Sequence, residues 1–465
     1  MKEHPLFSPA DIAAATGARL IFGRARPQGV RGVSIDSRTV RAGDLFIAVR
    51  GRRFDGHDFI EAALAQGAAG AVVDRWPLQE MKSGQMHPIW RVDDTLKALG
   101  DCAQFHRQRF HLDVVAITGS SGKTTTKAMV AHLLSSRRHV LATPGTQNNR
   151  IGVPMALLGL RPEHDAAVLE LGTNQWGEIR RLAEIARPTV GVITNVGPAH
   201  LETFGDLRGV LREKAGLWEA MDSRGRVVLP ADDPVLKEAG RQLPHRVIWF
   251  GTDPRADVRA SRISVEPWGS RCLINERWEG FIPLPGRHNL MNALGALACA
   301  QVLGEEMESA VRRCADLPPL PGRLTRVELG GCLVIHDAYN ANPDSLQAAL
   351  EVLKGMDCRG RRILVIGDML ELGPQAGALH AESGRRAVAS GVDLIVAVGS
   401  LTKVLLACAH EAGLPREAGW WFGAPEAAGD FLVELIRPGD AVLIKGSRGM
   451  QMERIVECFT TSSTH

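Results

Sequence analysis

Apolar runs rich in Val, Ile and Leu recur along this chain, each ending in a polar or glycine-rich turn that leads into a helix-compatible segment. Within residues 1–100 a strand is predicted at 43–49, a helix at 59–66 and a second strand at 69–73. Residues 101–317 carry the run 114–118, a helical segment at 124–135, and strands at 166–171 and 189–195. After the turn-rich stretch Leu317-Pro-Pro-Leu-Pro-Gly-Arg323, residues 318–465 show strands at 333–337, 363–367, 394–399 and 441–446 between helical segments. Buried strands alternating with helices predict an α/β chain built on parallel, helix-covered sheets, where ligands collect at the carboxyl ends of strands. The last series has a Rossmann-like rhythm but no GxGxxG after its first strand, so dinucleotide binding is not predicted.

At 465 residues the chain exceeds what one hydrophobic core supports, and two to four domains are expected. A formal charge of +3 is too small to point to nucleic acid or an anionic membrane. The eight cysteines are too widely spaced for a zinc ribbon or a thioredoxin-type motif and read as reduced core residues. No signal-peptide core opens the chain, and no run of about eighteen apolar residues could span a bilayer, so a cytoplasmic protein without membrane insertion is expected.

The strand at 114–118 runs into Gly119-Ser-Ser-Gly-Lys-Thr124. Strand, glycine turn and helix together describe a phosphate loop. Glycines let the N–H groups around Ser120, Ser121 and Gly122 converge on an anion, the helix N-terminus adds positive charge, Lys123 reaches the terminal phosphates, and a Thr124 hydroxyl can ligate Mg²⁺. The longer GxxxxGK[ST] pattern is not met, because Ile117 stands where its first glycine belongs. A plain glycine turn before a helix is the alternative.

Glu170 ends an apolar strand, where a carboxylate needs a cation: a Mg²⁺ ligand facing the loop or a partner for an arginine. His200 follows a further strand and reads as a metal or phosphate contact, or as a satisfied core histidine. Lys214, on a helical stretch, is by default a surface lysine. Asp337 and Tyr339, the chain's only tyrosine, could take a ribose and a base, or belong to an Asx-rich turn capping a helix that starts near Pro343.

Taken together, Asp36-Ser-Arg38, Gly43-Asp-Leu-Phe-Ile-Ala48, Asn148-Asn-Arg-Ile-Gly-Val-Pro154, Gly197-Pro-Ala-His-Leu-Glu202, Tyr339-Asn-Ala-Asn-Pro-Asp-Ser345, Gly367-Asp-Met-Leu-Glu-Leu-Gly373 and Lys445-Gly-Ser-Arg-Gly-Met450 resemble the Mur ligase family, ATP-dependent amide-forming enzymes of peptidoglycan precursor synthesis. The resemblance implies three domains: an N-terminal UDP-sugar-peptide domain at 1–100, a central parallel-sheet phosphate-loop ATPase domain at 101–317 and a C-terminal Rossmann-like domain at 318–465. It implies ATP phosphates at Gly119, Ser120, Ser121, Gly122, Lys123, Thr124 and Thr125, with one Mg²⁺ on Thr124 or Thr125 and Glu170. A second Mg²⁺ falls to His200 and to Lys214, at whose position the family's lysine can be carbamylated by CO₂. Asn289 and Asn292 would face adenine, with Asp337 on the ribose, Arg323 near the phosphates, and Tyr339 and Asn340 beside the nucleotide. Asp36, Ser37 and Arg38 would meet the uridine diphosphate; Asn148, Asn149 and Asn342 also fall among substrate contacts, and Lys445 and Arg448 would hold the incoming amine's carboxylate.

The implied reaction joins D-alanyl-D-alanine to UDP-N-acetylmuramoyl-tripeptide, with a monomeric enzyme expected. The peptide carboxylate takes the γ-phosphoryl group as an acyl phosphate, and the amine displaces phosphate. The family's usual alanine and histidine after the metal glutamate are replaced here by Thr173 and by Gln175 with Trp176, which bears on local substrate contacts. Alternatives are a sister ligase adding another amino acid, a folylpolyglutamate-type ligase, or a scaffold that binds nucleotide without catalysis. A diaminopimelate-adding relative would carry Asp-Asn-Pro-Arg in its C-terminal region, and this chain has none.

Overall fold

The computed structural model describes residues 5–25, 28–51, 53–75, 87–329 and 331–462. Among these residues three sheets follow one another, each an α/β layer as its apolar runs predict. The first has five short strands, of which Gly32–Ser34, Asp44–Ile47, Gly70–Val73 and Ile89–Arg91 are parallel and Arg19–Phe22 is antiparallel at one edge.

The second sheet has nine strands. Its parallel part runs in space Val140–Ala142, Ala166–Glu170, Asp113–Thr118, Val190–Ile193, Arg226–Pro230, Arg246–Gly251. Asp113–Thr118 is central because the chain leaves it first toward one edge and later returns to its other side. That reversal is the switch point at which open α/β sheets bind ligands. The register Ile117↔Glu170 and Thr118↔Ile193 brings three strand ends together there. Beyond Arg246–Gly251, which pairs parallel with Val258–Glu266, come the antiparallel strands Gly269–Ile274 and Trp278–Ile282, an extension the apolar pattern did not predict. In the third sheet, Cys332–Asp337, Ala441–Lys445, Arg362–Gly367, Leu394–Val398 and Gly419–Phe422 are parallel, with Thr325–Leu329 antiparallel at the edge.

Helix Thr95–Arg107 is continuous through position 100 and joins the first two layers. It buries Leu99, Cys102 and Ala103 in an apolar core that also takes in Phe7, Trp90, Leu157 and Leu182. On the other face of the central sheet, helix Lys123–Leu134 packs against helix Arg287–Val302, whose buried residues are mostly Ala and Leu and so allow close approach. All eight cysteines are free thiols, five of them buried.

Candidate active site

The glycine loop forms because two of its residues occupy backbone conformations that side chains resist. Gly122, the N-cap of helix Lys123–Leu134, has φ 76°, and a Cβ there would stand 2.3 Å from Asn292 Oδ1. Gly119, at φ 153°, lies against Thr194, whose Oγ1 a Cβ would meet at 1.9 Å. The neighbouring strand then fixes the turn. Asn195 Oδ1 accepts from the N–H of Ser120 at 3.0 Å and of Ser121 at 2.9 Å, while its Nδ2 donates to Ser121 Oγ at 2.6 Å. Lys123 curls back, donating to the Gly119 carbonyl at 2.8 Å, and burial presses its amine below the usual lysine value.

A cleft of about 880 Å³ opens over this loop. From the central layer it takes Ser120, Ser121, Gly122, Lys123, Thr124, Thr125, Asn148, Asn149, Glu170, His200, Asn289 and Asn292. Its opposite wall comes from the third layer and the segment leading into it, with Arg323, Asp337, Tyr339, Asn340, Asn342 and Lys445. Arg323 crosses the gap: its Nη2 donates to Thr124 Oγ1 at 2.8 Å, and its guanidinium covers the Tyr339 ring at 4.2 Å.

Glu170 is 1% exposed at its strand end. Its Oε1 accepts from Asn148 Nδ2 at 2.8 Å, whereas Oε2 is buried and accepts no hydrogen bond. The cation opposite it is Lys127, at 3.6 Å, rather than an arginine. His200, at φ 54°, is half-buried, and its Nδ1 lies 2.8 Å from Glu371 Oε2 of the third layer. Lys214 is not the surface residue its sequence context suggests. Helix Leu207–Glu219 carries it inward to 2% exposure, where burial and then the charge of Lys123 hold its amine well below the usual lysine value. Among the described residues its amine has no hydrogen-bond or ion-pair partner.

Asp337 and Lys445 pair at 2.5 Å, and Lys445 also donates to the Asn340 carbonyl at 3.1 Å. Asn342 is the N-cap of helix Pro343–Gly355, in a capping box with Ser345, so the Asx-turn reading holds for this residue. Asn149 likewise accepts from the Ile151 and Gly152 N–H groups, at 3.1 and 2.9 Å. Asn289 and Asn292 bond to each other at 3.2 Å.

Six sequence candidates stand outside the cleft lining: Gly119 and Lys214, described above, and Asp36, Ser37, Arg38 and Arg448. Asp36, Ser37 and Arg38 form a turn in the first layer, where the Arg38 guanidinium holds the Asp36 carboxyl down to about 2. Arg448 points to solvent and pairs with Glu453 at 2.8 Å, so the structure separates it from Lys445. At the altered stretch, Thr173 Oγ1 donates to the buried Glu213, which also accepts from the Gly177 and Ile179 N–H groups and so caps a helix start. Trp176 lies half-exposed against Phe204, with ring centroids 5.0 Å apart. Sequence reasoning missed Asn195, Lys127 and His288. Lys127 is one helical turn from Lys123, and Asn195 ends the strand beside the loop, so both left a signal. His288 lines the cleft with its imidazole pushed down to about 4 by burial.

A glycine loop at the switch point of a parallel sheet, faced by a second α/β layer across a polar cleft, defines a phosphate-loop nucleotide-binding protein of more than one domain. The chain matches the Mur ligase family catalytic domain over residues 29–107, the Mur ligase middle domain over 117–300 and the Mur ligase glutamate ligase domain over 322–448. It is 37% identical to the UDP-N-acetylmuramoyl-tripeptide–D-alanyl-D-alanine ligase of Escherichia coli K12 over 93% of this chain and 94% of that one. Among solved structures it resembles MurF from Acinetobacter baumannii, with TM-score 0.88, 33% identity and coverage of 98% and 99%. It also resembles MurF ligase from Thermotoga maritima in complex with ADP, with TM-score 0.82, 30% identity and coverage of 93% and 97%. The chain belongs to the Mur ligase family.

Proposed function

We propose that this chain joins D-alanyl-D-alanine to UDP-N-acetylmuramoyl-tripeptide at the expense of ATP, giving the pentapeptide precursor, ADP and phosphate. The observation that carries the reading is the cleft in which residues 120–125 of the loop, Glu170, Lys445 and Asp337 converge from two layers of one chain. Similarity over nearly the whole chain to ligases of that substrate pair supports the choice of substrates.

Under this reading Lys123 swings from the Gly119 carbonyl to the transferring phosphoryl group, whose charge is shared by the N–H groups at the start of helix Lys123–Leu134, those of Ser120 and Ser121 being held by Asn195. Asp337, Asn289 and Asn292 hold the nucleoside. The peptide carboxylate attacks the γ-phosphorus and ADP leaves; the amine of D-alanyl-D-alanine then attacks the acyl carbon, phosphate leaves and the amine loses its proton. Arg323 and the His200–Glu371 contact, which both bridge the layers, keep water from the acyl phosphate.

The donor set fits Mg²⁺. Glu170 Oε2 is buried without a hydrogen bond, and Thr124 offers a hydroxyl. Among the described residues no three His, Cys, Asp or Glu side chains gather as a preformed cage, and Mg²⁺ is commonly held by one or two carboxylates plus phosphate oxygens. Bound there, the ion would offset charge on the phosphoryl oxygens. His200 and carbamylated Lys214 are proposed for a second ion. The buried, unpartnered amine of Lys214 suits attack on CO₂, which forms an N–C bond and releases a proton. Among the described residues no helix is long and apolar enough to cross a membrane, and we place the reaction in the cytoplasm. Phosphate release tests the proposal: it should require ATP, the tripeptide nucleotide and D-alanyl-D-alanine together, whereas a scaffold would release none.

A further inference from the structure

Lys127 has no part in the roles above, yet it is buried, as only Lys214 and Lys445 also are among the lysines of the described residues. Helix Lys123–Leu134 repeats every 3.6 residues, so Lys127 falls one turn below Lys123 on the same face, and the side chain turns inward to 5% exposure. Burying an ammonium is costly unless its protons are taken, and here they are. It donates to the carbonyl of Thr143 at 2.8 Å and to that of Gly145, and it stands 3.6 Å from Glu170 Oε2.

We infer that Lys127 is a fixed counter-charge to Glu170, which prevents the empty site from collecting a free divalent cation and makes metal entry depend on the nucleotide's polyphosphate. The inference rests on the reading of Glu170 as a metal ligand. Two carbonyls anchor the ammonium independently of Glu170, so it stays when the carboxylate turns to another partner. At 3.6 Å it acts on Oε2 by charge without occupying a lone pair through a hydrogen bond, which leaves the oxygen open to a metal.

The surroundings add to the effect. Lys123, Lys127 and Arg323 all feel the field of this one carboxylate. A lone dication approaching Glu170 therefore meets three cations around that one carboxylate in a poorly screened site. The same dication carried on a triphosphate arrives with net negative charge and is drawn in. Lys127 also steadies the turn that follows strand Val140–Ala142, whose Asn148 holds Oε1. A purely structural pin would do that much, and metal affinity separates the two roles.

Mn²⁺ binding to the nucleotide-free full chain, followed by electron paramagnetic resonance, tests the inference. In the unmodified chain no millimolar or tighter site that Glu170→Gln removes should be found. Lys127→Met, which keeps the stem and removes the charge, should create a Glu170-dependent site at least about tenfold tighter. Lys127→Arg should behave like the unmodified chain. A tight, Glu170-dependent Mn²⁺ site in the unmodified chain overturns the inference, as does a folded Lys127→Met chain with unchanged affinity. Should that variant fail to fold, the comparison of the unmodified chain with Glu170→Gln still decides. A parallel titration with a non-hydrolysable ATP analogue bound tests the underlying reading: if Glu170→Gln leaves Mn²⁺ affinity unchanged there, Glu170 is no metal ligand and the inference falls with that reading.

Discussion

Replacing Asn195 with alanine removes the side chain that shapes the phosphate loop from outside it. Three hydrogen bonds are lost, two accepted from the N–H groups of Ser120 and Ser121 at 3.0 and 2.9 Å and one donated to Ser121 Oγ at 2.6 Å. At about 0.5–1.5 kcal/mol net each, their sum is about 1.5–4.5 kcal/mol, and water recovers part of it because both serines are half-exposed. The Ser120 N–H keeps its bond to the Asn195 main-chain carbonyl at 3.2 Å, and the Ser120–Gly197 and Thr194–Ser121 contacts remain, so the chain path is kept while the Ser121 N–H and hydroxyl lose their hold on the neighbouring strand's Asn195 side chain. Ordering the loop then becomes a cost of binding, and a net effect of about 2 kcal/mol corresponds to about a 30-fold rise in the Kd for ADP. Isothermal titration calorimetry on the folded variant measures this directly. A Kd within about threefold of the unmodified chain, or tighter binding because the N–H groups were freed for phosphate, would refute the preorganisation argument.

Lys123→Ala should fold normally and fall below about a tenth of the original turnover, since one transition-state donor contributes about 2.7–4 kcal/mol; higher activity would exclude its phosphoryl role. Lys214→Ala should lose activity and regain part of it with formate or acetate, whose carboxylate replaces that of the carbamate, and a fully active alanine variant would dismiss the carbamate. His106 predicts an acid sensitivity of the fold. It is 5% exposed, its Nε2–H donates to the Leu160 carbonyl at 3.1 Å, and burial lowers its pKa from 6.5 to about 4. The unfolded chain therefore binds the proton more readily, so stability is complete above 6.5 and declines as pH falls toward 4. The loss between pH 7 and pH 5 is about 2 kcal/mol. His106→Gln, which keeps a donor without the titration, should show a denaturation profile flatter by that amount.

Much of the site was legible because its signals are local. The apolar run ending at Thr118, the two glycines and Lys123 lie within a few residues of one another, and the burial of Glu170 follows from the strand that carries it. What escaped depends on distant pairing. Asn195 is 74 and 75 residues from the serines it holds, and only the order of strands in the sheet puts them together. Lys214 reads as exposed until helix Leu207–Glu219 packs against helix Glu178–Ala186. The strands at this edge, Val258–Glu266, Gly269–Ile274 and Trp278–Ile282, mix charged and apolar residues because much of the edge faces water, so they lack the apolar runs that marked the strands inside the sheet. Lys445 and Arg448 share a motif, yet one ends a buried strand and the other begins the exposed turn after it.

Mass analysis of the product made from UDP-N-acetylmuramoyl-tripeptide, ATP and D-alanyl-D-alanine tests the central claim most directly. The cleft predicts one product, heavier than the acceptor by the dipeptide less one water, with one ADP and one phosphate per bond formed. Lysine or diaminopimelate offered as the amine should yield little, since D-alanyl-D-alanine has no side-chain charge and a site shaped for it would bury theirs unpaired. Faster addition of diaminopimelate to a dipeptide acceptor would contradict the proposed substrates, and consumption of none of these amines would contradict the ligase reading itself.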